Sequence, residues 1–214
     1  MQHNLSDFRK SYQKGELIES QIPSNPLDFF NQWFGEAANH KGVEEVNAMT
    51  VATIDADGFP GSRVVLLKGY SVEGFVFYTN FESNKGKAII QNPKVCLSFF
   101  WPALERQIII KGEVEKVSEE ESTIYFNSRP RGSQIGAHAS SQSSIVPSRE
   151  FLEEQLTYFE QKFEGVTVPK PTHWGGFLVR PKSMEFWQGR ANRLHDRILF
   201  AKDADQWQRV RLAP

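Results

Sequence analysis

Residues 48–80 read AMTVATIDADGFPGSRVVLLKGYSVEGFVFYTN, and the punctuation of this stretch decides the fold. Three β-branched or aromatic runs, AMTVATID, SRVVLLKGY and FVFYTN, are separated by DADGFPG and SVEG. The Asp57-Gly58 and Glu73-Gly74 pairs in those spacers suit hairpin turns. The stretch is therefore expected to form an antiparallel meander.

Upstream, Asn25 followed by Pro26 reads as an N-cap and first helical position, and Leu27, Phe30 and Phe34 recur at helical spacing down to about His40. Residues 1–20 are polar and read as a mobile N-terminal arm, leaving 21–214 as one domain. Downstream, a short helix near 83–91 should stop before Pro93. KVCLSFFW and RQIIIKGEVEKVS add two strands. Ser118 and Glu121 make a capping box for a helix ending near NSRP, and Leu152, Leu156, Phe159 and Phe163 mark another. WGGFLVRP, SMEFWQG and HDRILFAKD are expected as closing strands, with WQRVRL as a further one. Many short strands with helices between them predict a mainly antiparallel β fold, a barrel with peripheral helices, rather than a parallel α/β sheet. No G-x-G-x-x-G follows a first strand, as a dinucleotide fold would need.

With 25 Lys and Arg against 26 Asp and Glu, the 214 residues carry a formal net charge of −1. Such a chain has no global field for DNA or RNA, so local basic sites should serve small anions. The single cysteine, Cys96, cannot form an internal disulfide and suits a reducing compartment. No apolar run reaches the roughly 18 residues of a membrane helix, and the start lacks a signal-peptide core. A cytoplasmic protein that binds neither membrane nor nucleic acid is expected. The five histidines show no metal-ligand spacing.

Cations concentrate in four places. Arg63 and Lys68, five residues apart, should face opposite sides of a regular strand and serve two anions, or be ordinary strand charges. In SNKGK, residues 83–87, a helix N-terminus and a lysine could hold a phosphate. In YFNSRPRGSQIG, Tyr125, Arg129 and Ser133 are four apart across the end of one helix and the start of the next. Together they match a phosphate monoester, though Arg129 could equally be a helix cap. The Ser-rich GSQIGAHASSQSS lacks a nucleophile elbow and reads as a ligand-binding loop. In FWQGRANRLHDR, residues 186–197, Arg193, His195 and Arg197 alternate. On an extended chain they would form a row of donors on one face, with Asp196 on the other as a structural partner.

Seven segments in order, RVVLLKGY, FYTNFESNKG, LERQ, YFNSRPRGSQIGAHASSQSS, WGGF, EFWQGRANRLHDR and RLAP, resemble the pyridoxamine 5′-phosphate oxidase family over nearly the whole chain. The resemblance implies an FMN-binding split β-barrel and a homodimer with two FMN sites at the subunit interface. It also implies oxidation of pyridoxamine or pyridoxine 5′-phosphate to pyridoxal 5′-phosphate, with O2 reduced to hydrogen peroxide. Carried over by position, Arg63, Val64, Val65, Leu66, Leu67, Lys68, Tyr78, Thr79, Lys85, Gln107, Gln142, Ser143, Trp187 and Arg197 would surround FMN. Lys68, Tyr125, Arg129 and Ser133 would hold the substrate phosphate, with Arg193 and His195 over its ring, and Arg9 and Tyr12 of the arm would close over it. Arg193, His195 and Arg197 are the catalytic candidates. Arg197 would stabilise charge that builds on the flavin. Arg193 would align the substrate and His195 its ring substituents. The chain departs from many relatives at Asn84, where they carry an arginine.

Overall fold

The computed structural model describes residues 3–204 and 206–214. Its helices are α1 (Pro26–Ala38), α2 (Asn84–Gln91), α3 (Glu119–Ser128), α4 (Arg131–Ala139) and α5 (Arg149–Lys162). Its strands are β1 (Ala48–Ile54), β2 (Pro60–Leu66), β3 (Gly69–Ser71), β4 (Gly74–Asn80), β5 (Lys94–Trp101), β6 (Arg106–Lys116), β7 (Trp174–Gln188), β8 (Asp196–Asp203) and β9 (Gln206–Leu212). They form one sheet in the order β2-β1-β5-β6-β7-β4-β3, with β8 on β7 and β9 on β8. The fold is thus mainly antiparallel β with helices between strands. No described helix is long and apolar enough to cross a membrane.

The meander expected over 48–80 is instead broken: β2 and β4 are not neighbours in the strand order, and β1-β2 and β3-β4 lie at opposite ends of the path. The break falls at Leu67 and Lys68, where the strand of SRVVLLKGY ends after Leu66 and restarts at Gly69. WGGFLVRP and SMEFWQG, read as two strands, are one. Proline 181 lacks an N–H, but β7 pairs with β4 only through Val179 and with β8 only from Ser183. The missing donor falls between these ladders, where it costs neither a bond.

Packing divides the chain into two compact units. The first comprises residues 1–49, 97–111 and 181–214. Its core sets the apolar face of α1 against the sheet: Phe29 lies 4.4 Å from Phe186 and Phe30 5.4 Å from Phe99, ring centre to ring centre. Asn25 caps α1 by accepting from Leu27 N, as its position before Pro26 predicts. The second unit comprises residues 50–96 and 112–180. Phe126, Ile135, Phe163, Val168 and Trp174 form a buried cluster there, with Tyr78 and Tyr125 packed against it. Ser83 caps α2 and Ser118 caps α3, each through its hydroxyl. A cap of this kind contributes about 1 kcal/mol. On β7, Gly176 sits opposite Tyr78 of β4. A Cβ on Gly176 would lie 2.6 Å from Val117 and 2.7 Å from the Tyr78 ring, and one on Gly175 would lie 2.6 Å from the Phe81 ring. The two glycines of WGGF let aromatic rings lie directly on the strand.

Candidate active site

In the second unit a cavity of about 620 Å³ is lined by Val64, Val65 and Leu66 from the end of β2, Lys68 from the break before β3, Tyr78 and Thr79 from β4, and Lys85 from α2. Tyr125, Arg129, Ser133, Gln142 and Trp174 complete its polar and aromatic wall. Lys85 stands in the first turn of α2 and is 8% exposed. Its ammonium donates to Thr79 Oγ1 at 3.1 Å, Ser83 Oγ at 3.3 Å and Gln142 Oε1 at 3.0 Å, all neutral acceptors. Burial, with the nearby Arg63 charge second, pushes its pKa down to about 8.

Arg129 follows the last turn of α3 and is half-buried; its Nη1 is sealed from solvent without a hydrogen-bond partner. Burial draws its pKa below the ordinary guanidinium value, opposed by the Tyr125 phenol. Tyr125 stacks on Tyr78 with ring centres 3.9 Å apart. Burial pushes the Tyr78 phenol up to about 12, with the neighbouring Glu121 carboxylate adding to the effect. Tyr125, Arg129 and Ser133 line one cavity, as their spacing suggested. The helix start expected near Ser133 is present, but α4 runs from Arg131 to Ala139, so the first eight residues of GSQIGAHASSQSS, read as a loop, are helical and the loop proper starts at Ser140.

Arg63 and Leu67 do not line the cavity. The Arg63 Nη1 donates to Thr53 Oγ1 at 2.7 Å and Gly61 O at 3.0 Å, which ties it into the β1-β2 hairpin. Leu67 is buried at 4% exposure, and Ser143 is exposed in the loop at φ 74°.

The remaining candidates lie in the first unit. The expected row of alternating donors is not formed. Ala191–Arg193 is a 3-10 turn, Asn192 and Arg193 take φ of 56° and 59°, and β8 starts only at Asp196. Only Arg197 is on the strand. Its Nε donates to Glu185 Oε1 at 2.8 Å and its Nη1 to Ala213 O at 2.9 Å, and the Glu185 contact raises its pKa. The His195 Nδ1 accepts from Arg190 N at 3.0 Å, so a neutral imidazole carries its proton on Nε2. Its ring centre lies 4.8 Å from that of Trp187, and Tyr12 packs on both. Gln107 donates to Ser98 Oγ, and Arg9 is exposed, its Nε on Ser6 O.

Asp196 is a structural partner, accepting from Leu17 N at 3.0 Å and pairing with Arg190 and Arg211. Three important residues were not anticipated. Trp174 walls the cavity. Glu105, 2% exposed, accepts from the backbone N–H of Gln13 and Lys14 at 2.7 and 3.0 Å and so docks the arm. Glu185 neutralises Arg197. All three stand inside segments that carry the family resemblance, WGGF, LERQ and EFWQGRANRLHDR.

Comparison with known proteins places this geometry. The profile described as pyridoxamine 5′-phosphate oxidase matches residues 36–163, and that described as the pyridoxine 5′-phosphate oxidase C-terminal dimerisation region matches 174–214. The pyridoxine/pyridoxamine 5′-phosphate oxidase of Christiangramia forsetii is 58% identical over 214 residues, covering 100% of both chains. That of Leptospira interrogans is 52% identical over 215 residues, again covering 100% of both. Among solved structures, PhzG from Burkholderia lata, in complex with tetrahydrophenazine-1-carboxylic acid, superposes with a TM-score of 0.86 at 27% identity. It covers 92% of this chain and 98% of its own. An FMN-binding protein of Nostoc punctiforme shares the fold, with a TM-score of 0.70 at 13% identity over 90% of this chain and 100% of its own. With both family profiles matched in order and more than half of the residues shared with full-length relatives, the chain belongs to the pyridoxamine 5′-phosphate oxidase family.

Proposed function

We propose that the protein oxidises pyridoxamine and pyridoxine 5′-phosphates to pyridoxal 5′-phosphate with FMN as cofactor, passing the electrons to O2 to give hydrogen peroxide. It acts as a homodimer, in keeping with the dimerisation region matched at 174–214. The observation that carries this reading is a pair of cations on one cavity, buried Lys85 and half-buried Arg129, neither paired with a carboxylate among the described residues. A buried ammonium and an unsatisfied guanidinium nitrogen each cost stability unless an anion completes them. Two such cations suit two phosphoryl groups, one on the cofactor and one on the substrate.

The residues present fit FMN. Lys85 stands at the N-terminal turn of α2, where helix amides and an ammonium favour a phosphate. The edge of β2, Val64 to Leu66, offers an extended wall for a flat ring system, with Gln142 and Thr79 beside it. Bound FMN supplies the two-electron acceptor that no side chain provides. Around it, Lys68, Tyr125, Arg129 and Ser133 bind the substrate phosphate, and Arg193, His195 and Arg197 serve the reacting end, roles that rest on the family resemblance. Glu185 and the Ala213 carbonyl engage Nε and Nη1 of Arg197 and so brace its guanidinium for that role. With its Nδ1 accepting from Arg190 N, His195 has Nε2 as the ring nitrogen left to donate. The lone cysteine and balanced charge suit the cytoplasm.

A peroxide assay with purified protein, FMN and each phosphate ester tests the function. Turnover of both esters, with pyridoxal 5′-phosphate formed in step with peroxide, is the expected result. Absence of turnover by FMN-loaded protein sinks it.

A further inference from the structure

We propose that Trp174 is a positioning residue for the substrate phosphate, acting through Arg129. The inference rests on the reading of Arg129 as a phosphate ligand given above.

Arg129 stands just past α3, where its N–H closes the helix on Phe126 O at 3.2 Å and extended backbone leads into Pro130. A long side chain at a helix end is free to swing, and holding it costs rotamer entropy. Neither a carboxylate nor an acceptor for Nη1 holds this one among the described residues. Instead its guanidinium carbon lies 4.6 Å from the centre of the Trp174 ring and 5.6 Å from that of Phe126. An aromatic face attracts a cation through its quadrupole, and indole does so best.

The manner of holding matters for an anion site. A carboxylate would occupy donors of the guanidinium and cancel its charge. A ring face fixes the plane while consuming no N–H and neutralising nothing. The cation is thus oriented without being spent.

Trp174 is itself immobile. It is 7% exposed, within the cluster of Phe126, Ile135, Phe163 and Val168, and its carbonyl accepts from Lys170 Nζ at 2.9 Å. Its ring lies within 10° of parallel to Tyr125, with centres 6.1 Å apart. One indole therefore fixes both a guanidinium and the neighbouring phenol on the same wall.

The test is a double-mutant cycle read in steady-state kinetics and FMN titration. Trp174→Leu removes the face and Trp174→Phe keeps a weaker one, each made with Arg129 intact and with Arg129→Ala. With Arg129 intact, Trp174→Leu should raise KM for pyridoxamine 5′-phosphate about fivefold to thirtyfold. Trp174→Phe should raise it less, with kcat and FMN affinity unchanged in both. In the Arg129→Ala background both effects should vanish, because the face then has nothing to hold. A full additional rise in KM in that background, or a loss confined to kcat or FMN affinity, makes Trp174 a packing residue and overturns the inference. Should Trp174→Leu fail to fold, Trp174→Phe in the two backgrounds decides by the same criterion. If Arg129→Ala leaves KM unchanged, the phosphate reading falls and takes the inference with it. If Arg129→Ala raises KM while neither Trp174 variant does, the inference alone falls.

Discussion

Lys85 Nζ lies 3.0 Å from Gln142 Oε1, so a buried ammonium on α2 is met by a neutral amide from the loop after α4 rather than by a carboxylate. The amide satisfies a donor and leaves the charge in place for an anion.

That charge makes cofactor binding depend on pH. Lysine ordinarily titrates at 10.5, and Lys85 in the folded chain is lowered to about 8. A bound phosphate favours the charged ammonium, so binding above pH 8 must take up a proton. FMN affinity should be level from pH 7 to 8 and weaken at higher pH by up to about tenfold per unit. Fluorescence-quenching titrations at pH 7, 8 and 9.5 check this; an affinity level across that range would exclude Lys85 as a charged ligand.

The same shift affects the stability of the cofactor-free protein. Between pH 8 and 10.5 the unfolded chain holds a proton that folded Lys85 has released, so this group's contribution to stability rises with pH through that window. Below it, the cost of burying the ammonium stands in full. In Lys85→Met the pH-dependent part is gone. The melting temperature of the variant relative to the parent should therefore fall as pH is raised from 8 to 10, and a constant difference would contradict the assignment.

Arg129→Ala should raise KM for pyridoxamine 5′-phosphate by about tenfold to a hundredfold, the loss of one charge-assisted hydrogen bond. FMN affinity should hold. Wild-type turnover of unphosphorylated pyridoxamine would remove the substrate-phosphate site altogether.

Arg193→Met and Arg197→Met should differ in kind. Arg197 is braced by Glu185 and the Ala213 carbonyl, and its loss should slow flavin reduction or weaken FMN binding. Arg193, exposed on a left-handed turn, should affect substrate binding with FMN retained. Stopped-flow reduction of both variants separates the two; wild-type behaviour of both would make these ordinary surface cations.

Glu105→Ala removes the acceptor for the Gln13 and Lys14 amides. The arm should undock, and trypsin should cut at Lys10 and Lys14 faster than in the parent. An unchanged cleavage rate would show that the other arm contacts suffice.

The sequence disclosed what depends on local chemistry. Asn25 and Ser118 announce their helices because a short side-chain acceptor answers free N–H groups within three residues. Tyr125, Arg129 and Ser133 could be grouped because a helix end sets their spacing. What the sequence hid depends on partners distant in the chain. Pro181 looks like a break until its place between two ladders is known. Arg193 and His195 appear to alternate until Asn192, a residue tolerant of positive φ, turns the chain. That asparagine was the available warning. Trp174 showed no local sign that it faces a guanidinium 45 positions earlier.

The close approach at Gly175 and Gly176 bears on how any exhaustive substitution survey of this protein should be interpreted. Scored by growth, the pair would look as intolerant as Arg129, since even alanine meets a neighbouring ring or methyl at 2.6 Å. Colour on such a map would then mark crowding and chemistry alike. Lowered growth temperature distinguishes them: a molecule strained by one methyl regains folded yield in the cold, whereas one lacking a guanidinium folds at every temperature and gains nothing.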